Sequence, residues 1–167
     1  MPVEPAAFAR AMSRVPGPVV IATTVDDDGR EWGFTATSFS SLSLEPPLVS
    51  LSLGTAASTH AAFVAADTFL VSVLAQDQAE VARRFARSGT DRFAAGDMHP
   101  CEQGLPGLPG AAARIVCSLQ GVLPGGDHSI LVGRVEEAAV TEAAPLVYCD
   151  RSFTRLSGRA GIPLLSA

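Results

Sequence analysis

Small hydroxyl-bearing side chains are concentrated in the stretch Gly33–Leu53, where they could form hydrogen bonds with a ligand without adding charge. The stretch opens with a run of small residues: Thr35, Ala36, Thr37 and Ser38. After Pro46, residues 48–53 alternate well enough to predict a strand. The pattern fits a wall that binds a flat, hydrogen-bonding heterocycle. It fits equally a Ser/Thr-rich strand and turn without a ligand.

A first candidate anion site lies at Ser58 and Thr59, which precede an expected helix over residues 60–66. Either hydroxyl can cap that helix, and the first N–H groups of a helix are unpaired and favour negative charge. An ordinary cap without a ligand is the alternative interpretation.

A second candidate anion site is the pair Arg83 and Arg84, near the end of a helix expected over residues 77–87. The capping-box spacing of Asp77 and Glu80 predicts the start of this helix. The two arginines could form a solvated helix face that complements the helix dipole, or they could hold a ligand phosphate.

Histidine chemistry centres on His128, which follows a Gly-Gly-Asp turn at the start of a strand. Such a side chain can project into a neighbouring cleft, or it can bond to its own turn backbone. His99 and Cys101 lie in the long loop 89–110, but no third and fourth ligand follow at a recognisable spacing. We therefore expect no metal site.

The elements that must position these residues are mostly strands joined by turns. Turn residues at 26–29 and 124–128 predict two hairpins, and an aromatic and basic cluster occupies residues 148–155. The expected helices cover 4–14, 60–66 and 77–87, and the expected strands cover 18–25, 32–38, 48–53, 68–74, 111–123 and 129–140. This order indicates a mainly β protein, an antiparallel barrel with helical additions.

The amino-acid composition argues against several classes of function. The chain has 167 residues, which predicts a single domain over 1–167, and its net charge of -5 argues against general nucleic-acid binding. All 12 basic residues are arginine, which excludes a lysine Schiff base and a phosphate-loop lysine. Three cysteines without CxxC spacing and the lack of a long apolar run predict a soluble, cytoplasmic protein without a membrane span.

Taken together, the motifs resemble those of the flavin reductase-like proteins with the split-barrel flavin-binding fold. The resemblance extends over about residues 8–156. It rests on these segments: TATSFSSLSLEPPLVSLSL, Ser58-Thr59, FLVSVLAQDQAEVARRFA, DRF at 91–93, GDHSILVGRV and PLVYCDRSFTRL. It implies an antiparallel six-stranded split barrel, a homodimer, and a flavin bound near the subunit interface.

The resemblance also implies roles for individual residues. Thr35, Ala36, Thr37 and Ser38 would line the isoalloxazine ring, and Ser52, Ala57, Ser58 and Thr59 would contact the ribityl chain and phosphate. Arg83, Arg84 and Phe85 would complete the flavin site, His128 would contact the nicotinamide partner, and Arg151 and Phe153 would cover the cofactor. Thr37 and Phe153 depart from the residues commonest in the family, which affects the expected nicotinamide preference more than the fold.

The implied activity is an NAD(P)H:flavin oxidoreductase, using NADH or NADPH to reduce FMN or FAD for a separate monooxygenase. Such a protein must stack two rings and support negative charge on the reduced flavin, without a general base. A flavin- or haem-type binding protein without reductase activity is the first alternative. A structural protein with an empty barrel is the second.

Overall fold

The computed structural model describes residues 2–156 of the chain. Its helices are short: α1 Pro5–Met12, α2 His60–Ala65, α3 Ala79–Ala86 and a 3₁₀-helix at Glu102–Gly104. Within these residues, no helix is both long enough and apolar enough to cross a membrane. The three expected α-helices are present with slightly shorter bounds.

Strands make up most of the described chain. The N-terminal half contains β1 Gly17–Pro18, β2 Val20–Val25, β3 Glu31–Ala36, β4 Ser40–Ser43, β5 Leu48–Gly54 and β6 Thr68–Val73. The C-terminal half contains β7 His99–Pro100, β8 Pro106–Gly107, β9 Ala113–Gly125, β10 His128–Val140, β11 Leu146–Cys149 and β12 Ser152–Arg155. The expectation of a mainly β protein with helical additions is confirmed.

The main sheet is antiparallel and has seven strands, in the order β3-β2-β6-β9-β10-β5-β4. A three-stranded sheet, β1-β11-β12, and the short pair β7-β8 accompany it. The main sheet has one strand more than the six that the resemblance implies, because the short strand β4 adds to its edge. The end strands β3 and β4 are not paired with each other in the described residues, so a closed six-stranded barrel is not confirmed.

The main sheet curls around an apolar core. Phe34 on β3 and Phe63 on α2 meet edge to face with ring centroids 4.9 Å apart, and Leu51 and Leu131 are fully buried in the same cluster. Burying one such side chain contributes about 1.5–3 kcal/mol. Strands from both ends of the sheet share this core, which brings the end of β3 close to β5.

Helix α3 packs on the other side of β2 and β3. Its Ala82 and Phe85 are buried, whereas Arg83 is exposed, so the helix is amphipathic. The expected capping box is not formed: Gln78 occupies the N-cap position, and Glu80 pairs with Arg83 instead. Gln78 Oε1 accepts a hydrogen bond of 2.8 Å from the Ala75 backbone N–H, which holds the chain at the helix entrance.

The aromatic and basic cluster near the end of the described chain forms the hairpin β11–β12. Asp150 and Arg151 have φ values of 53° and 59°, and these left-handed positions form its two-residue turn. Arg14 lies 2.8 Å from Asp150 Oδ2, so the turn also holds the end of α1. Sequence patterning had indicated one segment here, because neither turn residue is glycine.

The segment 89–110, expected to be an irregular loop, contains β7, the 3₁₀-helix and β8. Arg114 on β9 binds both carboxylate oxygens of Glu102 at 2.8–3.2 Å, with side chains only 19% and 12% exposed. This ion pair ties the segment to the main sheet. A bidentate arginine contact of this kind is stronger than a neutral hydrogen bond.

Candidate functional site

A central groove of about 360 Å³ lies where β3, β5, α3 and the start of β10 meet. We call it the central groove. It is lined by Phe34, Thr35, Ala36, Thr37, Ser38, Ser52, Leu53, Gly54, Ala57, Thr59, Phe85, Ala86, Ser88, Arg92 and His128. Most of the site residues predicted from sequence therefore come together, although they lie in segments far apart in the chain.

The hydroxyl wall predicted at residues 35–38 is present, but two of its hydroxyls have structural partners. Thr35 Oγ1 donates a hydrogen bond of 2.7 Å to the Ala82 carbonyl, which attaches α3 to β3. Ser38 Oγ accepts a hydrogen bond of 3.0 Å from the Ser52 backbone N–H and so connects the end of β3 to β5. The wall thus closes one side of the central groove and holds the curled sheet together.

Thr59 carries the clearest sign of an unfilled interaction. Its side chain is 1% exposed, and its Oγ1 is buried without a hydrogen-bond partner in the described residues. The expected cap is therefore wrong in one respect: Thr59 occupies the N-cap position of α2, but its hydroxyl makes no capping bond. Buried hydroxyls are rarely left unpaired, so Thr59 keeps an unused hydrogen-bonding group at a residue that lines the central groove.

Arg92, which we did not predict as a site residue, also lines the central groove. Its Nη1 donates a hydrogen bond of 2.7 Å to the Gly33 carbonyl, and its Nε donates one of 3.0 Å to the Arg87 carbonyl. Within residues 2–156 no carboxylate lies within ion-pair distance of it. Burial lowers the pKa of Arg92, yet a guanidinium keeps its charge in proteins.

The sequence did contain a signal for Arg92. The DRF segment at 91–93 belongs to the motifs that carry the family resemblance, and Arg92 is the only arginine between positions 88 and 113. A lone arginine in a long loop gives no indication of where its side chain points. Only the tertiary contact with Gly33 on β3 brings it to the groove.

Arg83 and Arg84 do not line the central groove. Arg84 Nη2 lies 2.5 Å and 2.6 Å from the two carboxylate oxygens of Asp97, and its Nε donates to the Arg92 carbonyl at 2.9 Å. Arg83 pairs with Glu80 and is 49% exposed. The alternative of a helix face with protein partners therefore describes both residues better than a phosphate site does.

Of the remaining predicted residues, Ser58 and Arg151 line two other cavities, and Phe153 lines neither. Ser58 lines a cavity of about 680 Å³ that we call the Trp32 cavity. Arg151 lines another, of about 640 Å³, between α1 and residues 37–40. Phe153 packs edge to face on Tyr148 with centroids 5.5 Å apart and lies under the Arg83 guanidinium at 5.2 Å.

His128 stands at the edge of the central groove with half of its side chain exposed. Its Nδ1 lies 2.7 Å from Asp127 Oδ1, so the side chain of its neighbour, rather than the turn backbone, orients the ring. The hydrogen bond and charge of His128 lower the pKa of Asp127. His128 pairs with Gly54 in the β5–β10 ladder, where the absence of a side chain leaves room for the imidazole.

The family model described as "Flavin reductase like domain" matches residues 12–157 of the chain. The chain belongs to this family. The family predicted from the sequence motifs is therefore confirmed.

Curated relatives agree with this assignment. The actinorhodin polyketide dimerase of Streptomyces coelicolor is 42% identical over 152 residues, covering 90% of this chain and 86% of that protein. The NADH:riboflavin 5'-phosphate oxidoreductase of Streptomyces pristinaespiralis is 40% identical over 154 residues, covering 90% and 88%. The reductase subunit HsaB of a flavin-dependent monooxygenase from Rhodococcus jostii is 35% identical over 162 residues, covering 96% and 83%.

Among solved structures, the NADH:FAD oxidoreductase SgcE6 of Streptomyces globisporus, in complex with NAD and FAD fragments, superposes with a TM-score of 0.89. It is 32% identical, and the match covers 96% of this chain and 99% of that one. The similarity therefore extends over nearly the whole fold, including every element that lines the central groove.

Proposed function

We propose that this protein is an NADH-dependent flavin reductase that binds FMN or FAD in the central groove. One observation carries the placement of the flavin: the unpaired Thr59 hydroxyl and the unpaired Arg92 charge line the same groove as the wall at residues 35–38. A neutral donor beside a guanidinium suits a phosphate, and a wall of small residues suits a flat ring.

Arg92 and Thr59 fit a flavin phosphate better than Arg83 and Arg84, the pair predicted from sequence. Arg92 has two carbonyl partners and no carboxylate in the described chain, whereas Arg84 is neutralised by Asp97. A phosphate at Arg92 therefore does not have to displace an existing ion pair. Helix α2, with six residues, is too short for its dipole to carry the site.

A flavin bound in the central groove would supply the ring that accepts a hydride from the nicotinamide of NADH. Thr37 and the backbone of the wall lie where they can donate hydrogen bonds to the ring, and buried Phe34, Leu53 and Phe85 keep water from that side of the groove. His128, oriented by Asp127, is placed to hold the nicotinamide nucleotide. None of these roles requires a side chain to take up a proton.

We infer that a separate monooxygenase uses the reduced flavin. Names of relatives support this partner, since HsaB and two further relatives are reductase components or subunits of oxygenating enzymes. A cytoplasmic location fits an enzyme that draws on NADH and has three free thiols.

We also propose a homodimer and a split barrel. Exposed apolar side chains on and after α1, namely Phe8, Met12 and Val15, support a subunit interface there. The Ser38–Ser52 hydrogen bond supports closure of the curled sheet through a side chain instead of a strand ladder. Light scattering of the purified protein measures the subunit number, and a monomer at micromolar concentration would contradict the dimer.

Anaerobic mixing with flavin and nicotinamide tests the activity directly. The purified protein is combined with FMN or FAD and with NADH or NADPH, and bleaching of the flavin band is followed. We expect rapid bleaching with NADH and at least one flavin. Flavin binding without bleaching would favour the non-reductase binding protein, and no binding of either flavin would overturn the proposal.

A further inference from the structure

The Trp32 cavity adjoins the central groove, and Thr59 and Arg92 line both. The two residues proposed to hold a flavin phosphate therefore stand where one cavity leads into the other. The Trp32 cavity, at about 680 Å³, is larger than the central groove and has room for more than a phosphate. Nothing in the proposed reduction of FMN uses this space.

One wall of the Trp32 cavity is formed by the Trp32 indole with the Arg30 guanidinium over its ring. The Trp32 indole N–H donates a hydrogen bond of 2.7 Å to Asp26 Oδ2, and the Arg30 guanidinium lies 4.1 Å from the centroid of the indole ring. Asp26 Oδ1 accepts a further hydrogen bond of 2.9 Å from the Arg30 backbone N–H. Trp32 is half-buried against the core, so the stack has a rigid base.

Asp26 accepts hydrogen bonds from both members of the stack. The bond from the Trp32 side chain and that from the Arg30 backbone lower the pKa of Asp26. Asp26 therefore fixes the indole and the chain that carries Arg30 at the same time. In residues 2–156, the Arg30 side chain is exposed and has no carboxylate partner.

The cavity combines the groups that recognise an adenosine diphosphate. A guanidinium over an aromatic ring offers a surface on which a purine base can stack. Arg92 can bind a pyrophosphate, and the carboxylates of Glu31 and Asp91, which also line the cavity, can accept hydrogen bonds from ribose hydroxyls. A single phosphate would use only Arg92 among these groups.

We infer that the Trp32 cavity holds the adenosine end of FAD, with Arg30 and Trp32 as the stacking platform, and that the protein selects FAD over FMN. The inference rests on the proposed function. NADH carries the same adenosine diphosphate chemistry. We assign the cavity to FAD because it opens at Thr59 and Arg92, where the phosphate of the flavin would lie and where its pyrophosphate must continue.

Binding measurements on the oxidised protein test this inference without turnover. Dissociation constants for FAD and FMN are measured by calorimetry for the native protein, for Arg30→Ala and for the control Arg134→Ala, which removes the same charge from an exposed site on β10. We expect FAD to bind about tenfold more tightly than FMN, a difference that one stacked base can supply. Arg30→Ala should remove most of this preference and leave FMN affinity unchanged.

Trp32 is the only tryptophan in the chain, so its fluorescence reports occupancy of the cavity directly. We expect adenosine alone, which lacks the phosphates that Arg92 would bind, to quench it and to compete with FAD but not with FMN. Trp32→Leu, which keeps an apolar residue against the core, should abolish the preference for FAD if Arg30→Ala only weakens it.

Three results would overturn the inference while leaving the proposed reductase intact. These are equal affinities for FAD and FMN, equal losses for both flavins in Arg30→Ala, or an Arg30→Ala protein whose KM for NADH rises while its affinity for FAD stays the same. The last result would assign the cavity to NADH. If neither flavin binds the native protein, the proposed function itself fails.

Discussion

His128 Nδ1 lies 2.7 Å from the carboxylate of Asp127, the residue immediately before it, and the pair stands at the edge of the central groove. This contact orients the imidazole from its Nδ1 side and leaves Nε2 directed away from Asp127, near Gly54. A ring that is held at one nitrogen can bind a ligand with the other. His128 is therefore oriented by the side chain of Asp127 and not by a hydrogen bond to its own turn backbone.

We predict that His128→Ala raises the KM for NADH by about tenfold and leaves the dissociation constant of the flavin nearly unchanged. Loss of one hydrogen bond to a bound ligand costs about 1–1.5 kcal/mol, which corresponds to that factor. Steady-state kinetics and flavin titration measure the two quantities. Equal losses of both would mark His128 as structural.

The same variant has a consequence for Asp127. The hydrogen bond from His128 is the largest cause of its lowered pKa, followed by the histidine charge. His128→Ala should therefore raise the pKa of Asp127 to the ordinary aspartate range. Carboxyl carbon NMR during a pH titration follows this residue, and an unshifted midpoint would show that the ion pair is absent in solution.

We predict that Thr59→Val weakens FMN binding and stabilises the ligand-free protein. Valine keeps the shape of threonine and removes a buried hydroxyl that has no partner, so the free energy of unfolding should rise by about 1 kcal/mol. Thermal melting with and without FMN separates the two effects. A ligand-free protein that becomes less stable would mean that Oγ1 has a partner in solution.

We predict that Arg92→Gln weakens FMN binding by about tenfold or more, because a charge-assisted contact to phosphate contributes about 1.5–3 kcal/mol. Riboflavin, which lacks the phosphate, should bind both proteins alike. Arg83→Gln is the matched control, since its side chain is half exposed and outside the groove. A larger loss of FMN affinity in Arg83→Gln than in Arg92→Gln would instead assign the phosphate to the arginines of α3.

We predict that the Glu102–Arg114 pair makes stability depend on pH. Arg114 lowers the pKa of Glu102, so the stabilisation is fully present above the ordinary glutamate pKa of about 4.3 and is lost as the pH falls through the lower folded value. Glu102→Gln should cost on the order of 3 kcal/mol at neutral pH and progressively less at acid pH. Urea unfolding at several pH values measures this, and a constant difference would contradict it.

Local patterns were enough for much of the fold. The hairpin at 26–29 has an Asp-rich turn between apolar runs, and the segment 48–53 alternates, so these three strands could be placed from nearest-neighbour chemistry. The hairpin at 150–151 was missed because its two left-handed residues are Asp and Arg. A turn without glycine or asparagine leaves little trace in a sequence.

The candidate site, like the fold, could be predicted only in part from the sequence. The small residues at 35–38, the Ser58-Thr59 step and the Gly-Gly-Asp-His turn are contiguous motifs, and the amino-acid sequence alone identified them and their family. The choice among the arginines was decided only by tertiary structure. Arg84 meets the Asp97 carboxylate, and Arg92 reaches the Gly33 carbonyl across 59 positions. Contacts between such separate segments depend on how the sheet curls and how α3 packs on it.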